Sequence, residues 1–201
     1  MRKVVAGLLI SLNGVVESPD IWGWSQYMND EMSEGIVAGT ALADAVLLGR
    51  RTYLQFANLW PYQGSDVPMS DFLNNSPKYV VSSTLEAPEW QPATLIKGNL
   101  AGEITKLKQQ SGKDILIPGS PTLVRSLLRE GLLDELSLNI CPVVVGPGMR
   151  LFDEITNQVN LKLMDSKILS NGVLGVTYRP MRSDDQTTAQ PLDFPEAAAR
   201  N

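Results

Sequence analysis

At 201 residues, with 43% apolar and 19% charged side chains, the chain has the composition of a globular domain with a substantial core, not of a disordered one. A formal charge of −5 excludes broad nucleic-acid binding, which needs a basic surface, so an anionic ligand must be caught locally by a few cations and backbone N–H groups. The absence of histidine and the single cysteine, Cys141, exclude a Ser-His-Asp triad, a Cys-His pair, an internal disulfide and the usual His or Cys metal frameworks.

In chain order, Val4 to Ile10 reads as a buried strand and Ser11-Leu12-Asn13-Gly14 as the turn leaving it. Its basic, apolar start resembles a signal peptide, but the Asn-Gly turn and the acidic residues soon after suit a first strand better. No apolar stretch approaches the roughly 20 residues needed to cross a membrane. The expectation is a soluble cytoplasmic protein with no membrane partner. SPDIWGWSQY is loop-like, and Asn29 to Ala43 is predicted as a helix capped by Asn29 or Asp30. Ala45 to Leu48 is a short strand, Thr52 to Leu59 a helix stopped by Pro61, and Pro68 to Leu73 a small helix. Lys78 to Val81 is a strand running into the turn-rich SSTLEAPEW. Thr94 to Ile96 is a strand, Asn99 to Gln110 a helix closed by Gly112, and Asp114 to Ile117 a strand. Pro118-Gly119-Ser120-Pro121 opens a helix through Arg129. Leu136 to Val145 is predicted as a long strand interrupted at Pro142, and Cys141 as a small core residue. Leu161 to Ser170 and Val173 to Tyr178 form a hairpin about Asn171-Gly172. One domain, 1–180, is followed by a loose tail, 181–201. This alternation implies a three-layer α/β/α sandwich with a mostly parallel central sheet ending in an antiparallel hairpin.

Ligands on such sheets sit beyond the carboxyl ends of the strands. Three of those ends carry informative residues. Gly49-Arg50-Arg51-Thr52 offers a glycine, helix-start N–H groups, guanidinium groups and a hydroxyl, all suited to an anion, or else a helix start with solvated arginines. Ser82-Ser83-Thr84 sets three hydroxyls after a strand, for a phosphate or ribose, or as local turn chemistry. Gly119, Ser120 and Thr122 lie in a strand-to-helix turn small enough to admit a diphosphate, or simply tight. No GxGxxG follows a strand and no P-loop is present, so the usual dinucleotide and nucleotide signatures are excluded.

The order and spacing of SLNG (11–14), LLGRRTY (47–53), KYVVSSTL (78–85), ILIPGSPTLV (115–124), GLLDEL (131–136) and CPVVVGPGMRLF (141–152) resemble the dihydrofolate-reductase-like superfamily. The nearest likeness is to the reductase domain of the bifunctional riboflavin-biosynthesis deaminase-reductase, over Arg2 to Arg179. The resemblance implies an NADPH-dependent oxidoreductase, commonly a homodimer, that transfers a hydride to a small heterocycle such as a pterin or pyrimidine. It places Arg50 with Ser82 and Ser83 at the 2′-phosphate, and Thr52 with its neighbouring amides at the diphosphate. Gly119, Ser120 and Thr122 come from the other side, and Asn13, Gly14, Arg51 and Thr84 complete the cofactor contacts. The chemistry read from the residues agrees: arginine and hydroxyls meet a phosphate, though Glu86 stands close in sequence.

Two departures bear on substrate. Relatives show SLDG where Asn13 stands, and two glycines where Gly119-Ser120 stand. The zinc-binding deaminase half is absent from these residues, so 5-amino-6-(5-phosphoribosylamino)uracil reduction is one alternative and a non-catalytic NADPH-binding module another. For the proton, Asp30 and Glu34 share a helix face at spacing four; they serve equally as solvated acids at a helix N-terminus. Trp22 and Trp24, grouped with Tyr27 and Trp60, would wall a planar substrate or pack the core. Arg150, after Gly146-Pro147-Gly148, would meet a substrate phosphate or solvent.

Overall fold

The computed structural model describes residues 1–18 and 21–181; the tail expected beyond them lies outside the described residues. Eight strands form one sheet: β1 (Val4–Ser11), β2 (Ala43–Gly49), β3 (Lys78–Val81), β4 (Ala93–Ile96), β5 (Asp114–Pro118), β6 (Glu135–Cys141), β7 (Leu161–Ile168) and β8 (Leu174–Pro180). Five α-helices accompany them: α1 (Asp30–Ala41), α2 (Arg50–Ala57), α3 (Ser70–Asn75), α4 (Leu100–Gln109) and α5 (Pro121–Arg129). The spatial order is β4-β3-β2-β5-β1-β6-β8-β7. Pairing is parallel from β4 to β6 and antiparallel through the terminal hairpin.

Local chemistry accounts for most element ends. Asn29 Oδ1 accepts the Met32 N–H and Asn99 Oδ1 the Gly102 N–H, so α1 and α4 begin on side-chain caps. Gly172, at φ +83°, supplies the left-handed residue of the hairpin turn. Where the sequence pattern predicts a strand to Val145, β6 stops at Cys141, after its last pairing with Ser11. Pro142 follows, and proline has no N–H to continue the ladder. Within the predicted loop 18–27, Trp24–Tyr27 winds into a 3₁₀ turn. α2 begins at Arg50, earlier than the Thr52 expected from the pattern.

The order of strands dictates where the helices lie. Connections from β1 and β2 run toward β3, whereas those from β4 and β5 run back toward β6. With crossovers of one hand, α4 and α5 cover one face while α1 and α2 cover the other. The cores match. One cluster joins Ala6, Leu8, Leu47, Ile115 and Ile117 to Ile104 of α4 and Leu127 of α5. On the other face two clusters stand apart: Val46, Leu48 and Val80 with Tyr53, and Met32 of α1 with Cys141, Leu169 and Val173. Burial of each leucine or isoleucine is worth about 1.5–3 kcal/mol, so the continuous face supplies the larger share of stability.

Charge stitches the edge where the strands begin. Arg2 pairs with Asp44 and its Nε donates to the Lys113 carbonyl at 2.6 Å. Lys108 pairs with Asp134 at 2.6 Å, both largely buried, while Asp134 also accepts the Val4 N–H at 2.8 Å. Lys3 meets Glu135 at 2.6 Å. Among the described residues no helix is long and apolar enough to cross a membrane.

Candidate functional site

β2 and β5 are neighbours whose following helices leave to opposite faces, which opens a crevice beyond their carboxyl ends. One hydrogen bond ties the two corners together: the Gly49 N–H donates to Ser120 Oγ at 3.0 Å. Ser120 holds a left-handed backbone, φ +52°, ordinarily a glycine conformation. Its side chain offsets that cost by satisfying Gly49. A Cβ on Gly119, itself at φ +73°, would stand 3.6 Å from Thr52 Cγ2, so the turn lies directly against the start of α2.

The helix starts differ in a telling way. α1 and α4 carry side-chain caps, whereas α3 has none, nor do α2 and α5, which converge here. Their first-turn N–H groups, of which Pro121 contributes none, therefore lack a side-chain acceptor, and the positive ends of two helix dipoles face the corner. Arg50 is exposed and makes no hydrogen bond or ion pair among the described residues. At the neighbouring strand end, Ser82 Oγ accepts the Thr84 and Leu85 N–H groups at 3.2 and 2.9 Å, so it shapes a turn while keeping its O–H to donate. Ser83, Thr84 and Thr122 are exposed. The Ser82 N–H donates to the Ile96 carbonyl at 3.1 Å, which sets Lys97, exposed and unpaired among the described residues, beside the serines. Sequence reading missed Lys97 because a lone lysine after a short strand carries no signal until strand order is known.

Asn13 and Gly14 belong to a flap made by the loops after β1 and β6. Asn13 Oδ1 accepts the Val145 N–H at 3.0 Å and Nδ2 donates to the Val145 carbonyl at 2.8 Å. The carboxamide thus clips two loops, which a carboxylate could do only by half. The Gly14 carbonyl accepts the Leu151 N–H at 2.9 Å, and Val15 bridges Arg150. Gly148 is obligatory, since a Cβ there would stand 2.7 Å from Val15 Cγ1. Buried Arg125 anchors the far end through the Asp153 carbonyl at 2.9 Å. Glu17, also missed from sequence, accepts the Met149 N–H at 3.2 Å and pairs with Arg51 at 2.9 Å. Arg150 is exposed at the flap.

Asp30, Ser33, Glu34, Val37 and Ala38 form one open, mostly exposed face of α1. The sequence pairing of Asp30 with Glu34 is therefore a shared face. Glu31 is turned away, toward the hairpin, where Lys167 and the Ser170 N–H hold its carboxyl down at about 2. Between the two clusters on this face of the sheet lies Gly7 of β1, above which a Cβ would meet nothing within 4 Å. An uncovered residue on a central strand is where a planar ligand can reach the sheet.

The aromatic group divides. Trp22 and Tyr27 pack against the Met32 cluster, with Trp22 Nε1 donating to the Glu17 carbonyl at 3.3 Å, and Trp24 sits half-buried beside them in sequence. Trp60 does not join them: it packs edge-on against Phe56, with centroids 5.9 Å apart, in the Tyr53 cluster. Cys141 is fully buried, its thiol pushed up to about 11 by burial, as suits a core residue. No group of His, Cys, Asp and Glu suited to a metal occurs among the described residues.

Residues 2–175 match the family described as the RibD C-terminal domain. The uncharacterized protein YyaP of Bacillus subtilis (strain 168) is 29% identical over 187 residues, covering 88% of this chain and 94% of that one. A protein assigned to riboflavin biosynthesis from Shewanella sp. PV-4 shares the fold at a TM-score of 0.71 and 24% identity, covering 90% of this chain and 99% of that one. Dihydrofolate reductase from Enterococcus faecalis, in complex with NADP(H), superposes at a TM-score of 0.54 and 13% identity, over 89% and 96% of the two chains.

Proposed function

Because the chain belongs to the RibD C-terminal domain family, we propose that it is an NADPH-dependent reductase of a small heterocyclic substrate, pterin- or pyrimidine-like. The observation that carries this reading is the meeting of two uncapped helix starts at the Gly49–Ser120 corner, a place prepared for a diphosphate. The donor set fits NADPH: Arg50, Ser82 and Ser83, joined by Lys97, suit a 2′-phosphate, and Thr52, Gly119, Ser120 and Thr122 suit the diphosphate. NADPH would supply the hydride, and the protein supplies binding, orientation and a proton. Asp30 and Glu34 share the face of α1 from which that proton would come. Arg150, exposed on the flap, favours a substrate that itself bears phosphate, which keeps the phosphoribosylated uracil among the candidates. Pairing into a homodimer belongs to the same proposal, supported by Leu163, Met164 and Ile168, which stand 51%, 50% and 78% exposed on the edge strand β7.

Turnover and binding separate the readings. The expected outcome is quenching of tryptophan fluorescence on adding NADPH, together with loss of NADPH absorbance when the right pterin or pyrimidine is present. Quenching without oxidation across a broad panel would favour the non-catalytic module. No quenching at all removes the coenzyme.

A further inference from the structure

The flap is zipped along its length by backbone bonds, Leu12 to Val143, Val16 to Met149 and Leu151 to Gly14, but is tied to α2 differently. Among the described residues a single polar contact makes that tie: Glu17 Oε1 meets Arg51 Nη2 at 2.9 Å, in the first turn of α2, whose start forms the Gly49–Ser120 corner. Glu17 cannot swing freely, because its second oxygen accepts the Met149 N–H. The first turn of α2, which brings N–H groups and two guanidinium groups together, thus already holds one anion.

We infer that Glu17 is a built-in counter-anion: it holds Arg51 and latches the flap, and it yields Arg51 to the diphosphate when a phosphorylated ligand binds. This rests on the coenzyme reading above. Energetics favour the exchange. The pair is exposed, with the Arg51 and Glu17 side chains 69% and 32% accessible, and such pairs are worth about 0–1 kcal/mol. A diphosphate carries more charge than a carboxylate and accepts two parallel hydrogen bonds from a guanidinium. After the exchange Glu17 stays tethered through Met149, so its charge opposes the bound anion and weakens it. The carboxylate therefore costs affinity, and Glu17 is a positioning residue whose removal tightens binding.

The test is calorimetric affinity for inorganic pyrophosphate and for NADPH, in the parent, Glu17→Gln, Arg51→Ala and the double variant. Glutamine keeps an oxygen for the Met149 N–H while removing the charge. The expected result is about two- to fivefold tighter binding of both ligands by Glu17→Gln at low ionic strength, converging on the parent at high salt. The gain should vanish in the Arg51→Ala background. Unchanged or weaker pyrophosphate binding by Glu17→Gln overturns the inference, as does an equal gain without Arg51 or an absence of pyrophosphate binding in both proteins. If the glutamine variant does not fold, Glu17→Ala is read the same way. Tighter pyrophosphate binding with no NADPH binding in either protein keeps the latch and sinks the coenzyme reading.

Discussion

The six parallel strands begin, Lys78 of β3 apart, among paired charges, and end, the Glu17–Arg51 pair apart, among unpaired ones. Where they begin, Arg2 meets Asp44, Lys108 meets Asp134 and Lys3 meets Glu135, each cation answered by a carboxylate. Where they end, Arg50 and Lys97 have no partner among the described residues, and two helices start without side-chain caps. Polar groups turned on one another hold a sheet together. Polar groups left unanswered are available to a ligand, at a cost in stability that the first edge and the core must cover.

That contrast breaks most readily at the stitched edge. Asp134→Ala strands the buried Lys108 ammonium and the Val4 N–H, and should destabilise the fold by about 3–5 kcal/mol. The melting temperature should drop on the order of 10 °C, with the affinity of the remaining native protein for NADPH unaltered. An NADPH affinity that falls in parallel would erase the division between the edges.

At the open edge the expected effect is on binding. Arg50→Ala removes a charge-assisted contact and should weaken NADPH about 10- to 100-fold while leaving NADH affinity and the melting temperature near the parent's. A preference for NADPH that survives the substitution detaches Arg50 from the 2′-phosphate.

Lys78, the first residue of β3, sharpens the comparison from the other side. It is 1% exposed, donates to the Asn74, Ser76 and Gln91 carbonyls, and lies 4.4 Å from the Trp90 ring centroid, with no carboxylate partner among the described residues. Burial pulls its pKa down to about 8 from 10.5. Between those values the unfolded chain binds a proton that the native state lacks, so stability should rise with pH across the window. Below pH 8 both states are protonated and the full penalty applies. Lys78→Met should flatten that slope in denaturant titrations at pH 7.5 to 10.

Much of this was legible beforehand. The apolar run of β1, Asn29 ahead of α1, and Asn171-Gly172 in the hairpin are local signals, and each predicted its element. The strand ends at Gly49, Ser82 and Gly119 were legible for the same reason. What remained hidden is spatial. Asn13 meets Val145 from 132 positions away, and Glu17 reaches Met149 from as far, so neither contact leaves a trace in spacing. Proximity in sequence misled in the case of Trp60, which folds under α2 with Phe56 instead of joining Trp22.

The bond between Ser120 and Gly49 has a consequence for how a ligand would be received. A loop that is ordered only when its guest arrives subtracts that loss of freedom from the affinity. Here a hydroxyl fixes one turn to the other within the protein, so the entropy is surrendered during folding instead. The two turns of the corner are joined before anything enters it, which leaves less freedom for a guest to remove.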